Sequence, residues 1–391
     1  MVVEHQIKAF DNLIDLLEDL DREGISGYHR QEIYKRYLNL RARMHRQVYS
    51  GGFELTPLCN FDCKMCYVHL TKGQMEREAN LLTVQQWISI MGQAVDAGMM
   101  HADLTGGECL SYPGFKDVYL YLRSRGVEVS ILTNGQLITE EMADFFAQYP
   151  PSVIQITVYG SDEDAYEAVT GRRAFGDVKA AIESLKRRNI RLFLAVTPNR
   201  YMQEDTHALM EFLRSLDVRY GIGTGSLPAR PDTGRNLESY APETALYVKL
   251  HLDEQRYLRG LEDSPAPARP YVDYIPTGFH TESKIPCSSG LCAFHINWKG
   301  EMSPCIPFHS INRSVLEHGF EDCWNWIKAQ MRSYEPPKEC SDCANRLVCA
   351  ACPAERTSGV LGGSLNKAVC ERYEQYVRAG ILQIPQDDKC K

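Results

Sequence analysis

The sequence predicts an α/β protein: a complete or partial barrel of six β/α units, followed by a small cysteine-rich domain. Between residue 53 and about residue 225, six short runs rich in β-branched and aromatic residues alternate with amphipathic helical segments. This alternation is typical of parallel strands joined by crossover helices. Glycines, together with Pro57 and Pro198, mark the ends of strand runs, which fits a barrel with its chemistry at the carboxyl ends of the strands. The alternation then fades, and nine of the 14 cysteines lie between residues 287 and 370.

The segments outside the barrel predict helices and linkers. Before residue 50, apolar residues such as Leu13 and Leu20 recur at helical spacing without a convincing strand run, so we expect about two helices. A further helix is expected over about residues 242–260. The cysteine-rich region shows little periodicity, which favours stabilisation by metal over a large apolar core. We therefore divide the chain into a helical segment (1–50), the barrel (51–240), a helical linker (241–286), the cysteine-rich domain (287–375) and a tail (376–391).

Composition excludes several classes of partner. The formal net charge is −8, and no long basic run is present, so we expect no binding to nucleic acid. No signal sequence and no stretch of about eighteen apolar residues stands out, so we expect a soluble cytoplasmic protein that binds no membrane. In a reducing cytosol, clustered cysteines are more often metal ligands than disulfides.

The first cysteine motif is Cys59-x3-Cys63-x2-Cys66, directly after the first strand run. Three thiolates bound to a four-iron cluster leave one iron open to a substrate or cofactor, whereas structural metal sites are normally closed by four protein ligands. The alternative is a zinc site that a distant residue completes.

A second motif, Thr105-Gly106-Gly107-Glu108, ends the next strand run and so falls at the same rim of the barrel. Its glycines allow close approach of the backbone to a ligand, and its carboxylate can accept a hydrogen bond from an ammonium group. A surface turn is the alternative interpretation of this motif alone.

Together these motifs resemble the radical SAM superfamily, which has a partial (β/α)6 TIM-like barrel. The resemblance implies that Cys59, Cys63 and Cys66 bind a 4Fe-4S cluster whose open iron chelates S-adenosylmethionine. An electron from that cluster would then cleave the sulfonium bond to a 5′-deoxyadenosyl radical. The resemblance further assigns cofactor binding to residues near the adenine, the methionyl amine, the methionine and the ribose: Met65, Tyr67, Gly106, Gly107, Glu108, Thr133, Asn134, Thr157 and Val196.

The second cysteine constellation contains eight cysteines, enough to close two four-iron clusters. The fragment from Cys340 to Cys352 alone could also be a zinc knuckle. The full set resembles the SPASM extension of radical SAM proteins, although the interval between Cys349 and Cys352 is one residue shorter than usual. This resemblance implies two auxiliary 4Fe-4S clusters, three clusters in all and about 12 irons per chain. The first would use Cys287, Cys292, Cys305 and Cys352, and the second Cys340, Cys343, Cys349 and Cys370.

Three cysteines remain outside these sets. Cys109 follows Glu108, where the family commonly has proline, and we hypothesise that its thiol relays a hydrogen atom or contacts substrate. The alternative is a small buried residue that fills space. Cys323 is expected to be structural, and Cys390, in the tail, to have no role.

SPASM proteins act mostly on peptides and proteins, so the resemblance implies a precursor peptide substrate and a thioether or carbon-carbon crosslink as product. Sulfatase maturases form formylglycine and carry an aspartate after the third auxiliary cysteine, whereas Ile306 follows Cys305 here. Formylglycine formation is therefore an alternative, as is radical modification of a sugar or a tetrapyrrole precursor. A zinc-bound structural module without catalysis is the alternative from a different class.

The expected partners follow from the same resemblance. A flavodoxin or ferredoxin is the expected type of reductant. Many peptide maturases begin with a leader-binding domain of about eighty residues, which exceeds the span before residue 53. Either the helical N-terminal segment binds the leader, or a separate leader-binding protein does, or the substrate has no leader.

Overall fold

The computed structural model describes residues 6–202, 206–223, 227–234, 241–262, 272–276, 287–346, 349 and 351–382. A nine-stranded sheet lies at its centre, and its strands from β2 to β7 are parallel neighbours. These six strands confirm the six predicted β/α units. They are β2 (Ser50–Glu54), β3 (His101–Thr105), β4 (Glu128–Thr133), β5 (Val153–Val158), β6 (Leu192–Val196) and β7 (Tyr220–Ile222).

Helices connect these strands in the expected order. Several begin at a side chain that caps them: Thr83 and Gln86 form a capping box, and Thr139 and Asp162 each accept a hydrogen bond from a first-turn N–H. Apart from the first connecting helix, whose Met75 packs with Leu70 and Trp298, their apolar faces pack on the sheet in one continuous core. The connecting helices are α3 (Lys72–Glu78), α4 (Val84–Asp96), α5 (Phe115–Ser124), α6 (Glu140–Gln148), α7 (Glu163–Thr170), α8 (Phe175–Arg187) and α9 (Thr206–Ser215).

The N-terminal segment contains the two expected helices, α1 (Leu13–Arg22) and α2 (Gly27–His45), and one strand that the sequence analysis did not predict. Strand β1 (Gln6–Phe10) pairs in parallel with β8 (Val272–Pro276) in a separate two-stranded sheet. The prediction of no strand before residue 50 is therefore wrong. Because the partner strand lies more than 260 residues along the chain, the pairing depends on tertiary contacts rather than on a local pattern.

The predicted helix of the linker is present as α10 (Thr244–Glu262). The tail after residue 382, with Cys390, lies outside the described residues. None of the described helices is long and apolar enough to cross a membrane.

The cysteine-rich region extends the central sheet. Strand β9 (Ala293–Ile296) pairs in parallel with β2, and the antiparallel strands β10 (Glu301–Ser303) and β11 (Arg313–Ser314) follow at the edge. Contrary to expectation, the first part of this region has an apolar core, since Phe294, Phe320 and Ile327 belong to the core of the barrel. Its helices are α11 (Val315–His318), α12 (Phe320–Arg332), α13 (Lys338–Ser341), α14 (Pro353–Arg356) and α15 (Lys367–Arg378).

Candidate active site

A cavity of 210 Å³ opens at the carboxyl ends of the barrel strands, where parallel sheets of this kind bind ligands. The loop after β2 and the residues that end or follow β3, β4, β5 and β6 line it. The structure thus brings the first cysteine motif and most of the predicted S-adenosylmethionine residues into one site. The predicted residues that line this rim cavity are Cys59, Cys63, Met65, Cys66, Tyr67, Gly106, Gly107, Thr133, Asn134 and Thr157.

Gly106 and Gly107 let the turn after β3 pack directly against the start of the cysteine loop. Gly106 has a φ of +151°, and a Cβ there would lie 2.4 Å from the main-chain oxygen of Thr56. A Cβ at Gly107 would lie 2.3 Å from the main-chain oxygen of Leu58. The N–H groups of Gly107 and Glu108 donate to these same two oxygens, at 2.7 and 2.9 Å. The close approach that the glycines permit therefore also joins two parts of the protein's own backbone.

Glu108 is fully buried and lies beside the rim cavity rather than in its wall. Its carboxylate accepts hydrogen bonds from the Thr133 hydroxyl at 2.8 Å, from the Asn134 N–H at 2.8 Å and from the Leu110 N–H at 3.0 Å. Burial raises the pKa of Glu108, while these donors act in the opposite direction. In this arrangement Glu108 positions Thr133 and Asn134, which line the cavity. Its predicted contact with the methionyl amine stays a prediction.

Nitrogen donors face two of the three sulfurs of the loop. The Phe61 N–H lies 3.4 Å and the Asn134 side-chain amide 3.6 Å from the Cys59 sulfur, and the His69 N–H lies 3.3 Å from the Cys66 sulfur. Burial raises the pKa of Cys59 to about 12, and the donors from Phe61 and Asn134 oppose that shift. Three soft thiols on one short loop, with N–H groups directed at their sulfurs, are a donor set that fits an iron-sulfur cluster.

Sequence reasoning missed Arg230, which holds the far end of this loop. Its guanidinium donates to both carboxylate oxygens of Glu54, at 2.9 and 2.8 Å, and to the main-chain oxygen of Val68 at 2.8 Å. Its own N–H donates to the main-chain oxygen of Tyr67 at 3.1 Å. No sequence pattern signals this contact, because Arg230 lies in an irregular loop 176 residues from Glu54.

Asn60 is a second residue that the sequence analysis missed. Its side chain accepts a hydrogen bond from the Asn134 amide and donates one to Gln136, both at 2.8 Å. Asn60 thereby joins the cysteine loop to the loop after β4. Its place next to Cys59 was the available signal.

The side chain of Val196 does not line the rim cavity. It is buried on the opposite face of β6, while its neighbours Ala195 and Thr197 line the cavity, as do Gln155 and Thr157 from β5. Successive residues of a strand point to opposite faces, so the correction from Val196 to Ala195 and Thr197 is a shift of one residue.

Cys109 is fully buried and is not part of the cavity wall. Its thiol donates to the main-chain oxygen of Leu132 at 3.3 Å, and burial raises its pKa well above the ordinary value. The geometry therefore gives Cys109 a packing position and does not support its proposed hydrogen-relay role. Cys323 is likewise buried, with its thiol 3.3 Å from the main-chain oxygen of Ser314.

Four cysteines of the second constellation line a cavity of 390 Å³, which we call the distal cysteine cavity: Cys340, Cys343, Cys349 and Cys370. They are the four that the SPASM resemblance groups as one cluster. The Arg356 guanidinium lies 3.6 Å from the Cys349 sulfur and donates to its main-chain oxygen at 3.2 Å. Four thiols and a cation at one cavity are a donor set that fits an auxiliary cluster.

The other four predicted ligands gather less completely. Burial raises the pKa of Cys305 to about 12, and the charges of the nearby Cys352 and Cys287 raise it in the same direction. These three cysteines therefore lie close together. Cys292 is fully buried beside α2, where the Asn39 amide lies 3.6 Å from its sulfur. Among the described residues, no three His, Cys, Asp or Glu side chains converge closely enough to chelate a single metal ion.

Comparison with known proteins identifies the barrel. The profile of the radical SAM superfamily matches residues 53–213. The sporulation killing factor maturation protein SkfB of Bacillus subtilis (strain 168) is 24% identical over 298 residues, which cover 75% of this chain and 68% of SkfB. A PqqA peptide cyclase of Streptomyces rochei is 23% identical over 292 residues, 72% of this chain and 75% of the cyclase. The AdoMet-dependent heme synthase of Methanosarcina barkeri (strain Fusaro / DSM 804) is 21% identical over 319 residues, 78% of this chain and 90% of the synthase.

Solved structures share the fold at low sequence identity. Streptococcus suis SuiB bound to S-adenosylmethionine superposes with a TM-score of 0.61 at 14% identity, covering 91% of this chain and 87% of SuiB. The protein anSMEcpe with bound AdoMet gives a TM-score of 0.64 at 14% identity, covering 85% of this chain and 97% of anSMEcpe. The match to the radical SAM profile, together with the curated relatives, favours an enzyme over the non-catalytic zinc module. Residues 53–213 of the chain form a radical SAM domain, and the chain is a radical SAM enzyme.

Proposed function

We propose that this radical SAM enzyme oxidatively modifies a peptide, with a thioether or carbon-carbon crosslink as product. Superfamily membership implies S-adenosylmethionine and a 4Fe-4S cluster. The distal cysteine cavity carries the oxidative part of the proposal, because oxidation of a substrate needs an acceptor for the electron that the substrate loses. Two relatives support it by name, one a killing factor maturation protein and the other a peptide cyclase.

The rim cavity provides the residues for the first cofactors. Cys59, Cys63 and Cys66 would hold the cluster, which supplies the electron for reductive cleavage of S-adenosylmethionine. The hydroxyl of Thr157 offers a hydrogen bond to a polar ligand in the same cavity, whereas the side-chain amide of Asn134 is held by Asn60 and Gln136.

Aromatic residues close the other side of the rim cavity. The rings of Phe61 and Tyr159 pack edge to face with centroids 6.4 Å apart, and both residues line the cavity. Their apolar surface keeps water from the reacting atoms.

The cysteine-rich region would hold two auxiliary 4Fe-4S clusters, which gives three clusters per chain. The eight cysteines predicted as their ligands are the set described above. One auxiliary cluster would accept the electron from the substrate and pass it on, and a flavodoxin or ferredoxin would reduce the first cluster. A separate leader-binding protein would serve a precursor peptide if the N-terminal helices do not bind it.

A small molecule is the second candidate substrate. The similarity to an AdoMet-dependent heme synthase over 90% of that protein favours it. In this case the enzyme would modify a tetrapyrrole precursor or a sugar without any peptide.

Formylglycine formation is a weaker candidate. The anSMEcpe structure shares the fold only, and position 306 after the third auxiliary cysteine is isoleucine rather than an aspartate that could act as a general base.

Mass spectrometry of a short peptide encoded beside the gene tests the proposal after anaerobic co-expression with the enzyme. Loss of two hydrogens is expected with the intact enzyme and not with a triple alanine variant at Cys59, Cys63 and Cys66. Cys323→Ala is the matched control, since this cysteine lies outside both cysteine cavities. An unchanged mass and no deuterium uptake would move the proposal to a small-molecule substrate.

A further inference from the structure

A separate cavity of 230 Å³ lies between the loop that carries Arg230 and the strands β9 and β10. We call it the polar cavity. Arg230 and Asp232 line one side of it, His295 and Glu301 line the strand side, and Ile306 and His309 complete its wall. None of these residues lines the rim cavity or the distal cysteine cavity.

Buried polar atoms of this wall make no hydrogen bond to any residue that the structure describes. His295 is 5% exposed, and its Nε2 atom makes no hydrogen bond to any described residue. Arg230 is 7% exposed, and its Nε is likewise without a hydrogen bond, as is Oδ1 of Asp232. These two atoms are 3.4 Å apart, an ion-pair distance without hydrogen-bond geometry. Because buried polar groups in proteins are nearly always hydrogen-bonded, a donor and an acceptor side by side mark a place for a ligand.

The charges of the wall are matched within the protein. Arg230 is paired with Glu54, and the Lys299 ammonium lies 3.6 Å from Glu301 and 3.7 Å from Glu78. Burial, with Arg230 nearby, lowers the pKa of His295 to about 3, so its imidazole is neutral at pH 7. A carboxylate ligand would face Asp232 and Glu301, and an ammonium ligand would face Arg230 and Lys299. An uncharged group that both donates and accepts avoids both conflicts.

The position of the polar cavity connects it with the chemistry. Arg230 binds the main-chain oxygens of Tyr67 and Val68, which line the rim cavity, and Ile306 directly follows Cys305. The polar cavity therefore adjoins the loop after β2 through Arg230 and adjoins Cys305 through Ile306. Its residues Pro231 and His309 also line a groove of 730 Å³, so the polar cavity and this groove are neighbours.

We propose that the polar cavity binds a carboxamide side chain, of the asparagine or glutamine type, from a peptide whose main chain lies in the groove. The amide oxygen accepts from Nε of Arg230 and the amide N–H donates to Oδ1 of Asp232, since a primary amide presents an acceptor and a donor along one edge. This inference rests on the proposed peptide substrate and adds the class of residue that is held beside the reacting atoms.

Thermal unfolding of the iron-loaded enzyme with four blocked amino acids tests this inference. The probes are the N-acetyl methylamides of glutamine, glutamate, lysine and norleucine, each at about 50 mM. A millimolar ligand of the folded state at this concentration raises Tm by about 1–2 °C. We expect that rise with the glutamine derivative alone. An equal or larger rise with any of the other three would overturn the proposal, as would the lack of any rise.

Two variants locate the binding. Asp232→Leu removes the acceptor of the amide N–H and should abolish the glutamine shift. Asp232→Asn replaces the acceptor by a group that can also donate, so the shift with glutamate should appear while that with glutamine falls. His207→Leu is the control on an exposed face of α9 and should retain the glutamine shift. A glutamine shift that survives both cavity variants would contradict the assignment.

Cleavage of S-adenosylmethionine without peptide is measured in parallel on the wild-type enzyme. If cleavage occurs but no amide shift is seen, only the polar-cavity inference fails. If a peptide of the neighbouring gene is never modified while the amide shift is present, the proposed function fails instead.

Discussion

The loop after β2 that carries Cys59, Cys63 and Cys66 is here called the rim loop. This loop and the distal cysteine cavity hold their cysteines in different ways. In the rim loop, the N–H groups of Asp62 and Lys64 donate to the main-chain oxygens of Thr170 and Val169, at 3.1 and 3.0 Å. These hydrogen bonds join the loop to the end of a helix more than 100 residues away. The cysteines of the loop are therefore held near one another by the folded barrel itself.

The backbone around the distal cysteine cavity is held by local contacts. The N–H of Cys340 donates to Pro337 and the N–H of Cys349 donates to Asn345, both at 2.9 Å. Cys340, Cys343, Cys349 and Cys370 are all partly exposed. The difference in backbone contacts predicts that the folded barrel keeps the rim loop in place without iron, whereas the distal site depends on its cluster for its shape.

Loss of Arg230 should produce the largest change in stability, because it leaves Glu54 buried without its partner. We expect Arg230→Met to lower the free energy of unfolding by about 3–5 kcal/mol and to weaken binding of S-adenosylmethionine through the rim loop. Chemical denaturation and equilibrium dialysis measure the two effects. Arg173→Met is the matched control, since this arginine is 56% exposed and also pairs with two carboxylates. Arg173→Met should lower the free energy of unfolding by less than about 1 kcal/mol. Similar losses of stability in both variants would contradict a stabilising role of the buried Arg230–Glu54 pair.

Removal of iron by a chelator should affect hydrogen exchange differently in the two cysteine regions. We expect hydrogen exchange at residues 336–346 to become about tenfold faster or more, because the local hydrogen bonds there do not fix the chain without a cluster. Residues 55–70 should keep most of their protection. Mass spectrometry of peptic fragments measures both regions in one sample. An equal increase of the exchange rate in both regions would contradict the claim that the folded barrel holds the rim loop in place.

Substitution of Glu108 tests whether the rim depends on its buried carboxylate. In Glu108→Gln the new amide NH2 replaces one carboxylate oxygen and so faces the N–H of either Leu110 or Asn134. We therefore expect a loss of about 1–3 kcal/mol in the free energy of unfolding and weaker binding of S-adenosylmethionine. Glu163→Gln is the control: that carboxylate also accepts two main-chain N–H groups but is more exposed. Unchanged stability and unchanged binding of S-adenosylmethionine in Glu108→Gln would contradict the role of Glu108 in positioning Thr133 and Asn134.

Cys109→Ala should have the smallest effect. The side chain packs away from the rim cavity, so we expect about 1 kcal/mol of destabilisation. We expect the rate of S-adenosylmethionine cleavage to stay within about twofold of wild type, because the substitution removes no contact that stabilises the transition state. Chromatography of the cleaved nucleoside measures the rate. A loss of tenfold or more at unchanged stability would restore the hydrogen-relay hypothesis.

The barrel was predictable because its information is local. Six apolar strand runs, each followed by a helical pattern, give the parallel sheet directly, and the spacing of Cys59, Cys63 and Cys66 after the first strand gives the cysteine loop. The pairing of β9 with β2 was not predictable, because strand neighbours far apart in sequence are chosen by tertiary packing. The same reason hides the contact of Arg230 with Glu54.

Two predicted site residues lie outside the wall of the rim cavity for a common reason. Ala195 and Thr197 line the cavity on either side of Val196, and Cys109 packs against Leu132. A motif locates a segment to within a residue or two, but the face of a strand or turn changes with every residue. Only the fold decides which neighbour faces the cavity.

Formation of 5′-deoxyadenosine from S-adenosylmethionine, by the reduced and iron-loaded protein under anaerobic conditions, tests the central claim most directly. The account predicts that the wild-type protein forms it and that the triple alanine variant at Cys59, Cys63 and Cys66 does not, while Cys323→Ala does. Equal formation by the wild-type protein and the triple variant, or none by the wild-type protein, would contradict the assignment of the rim cavity.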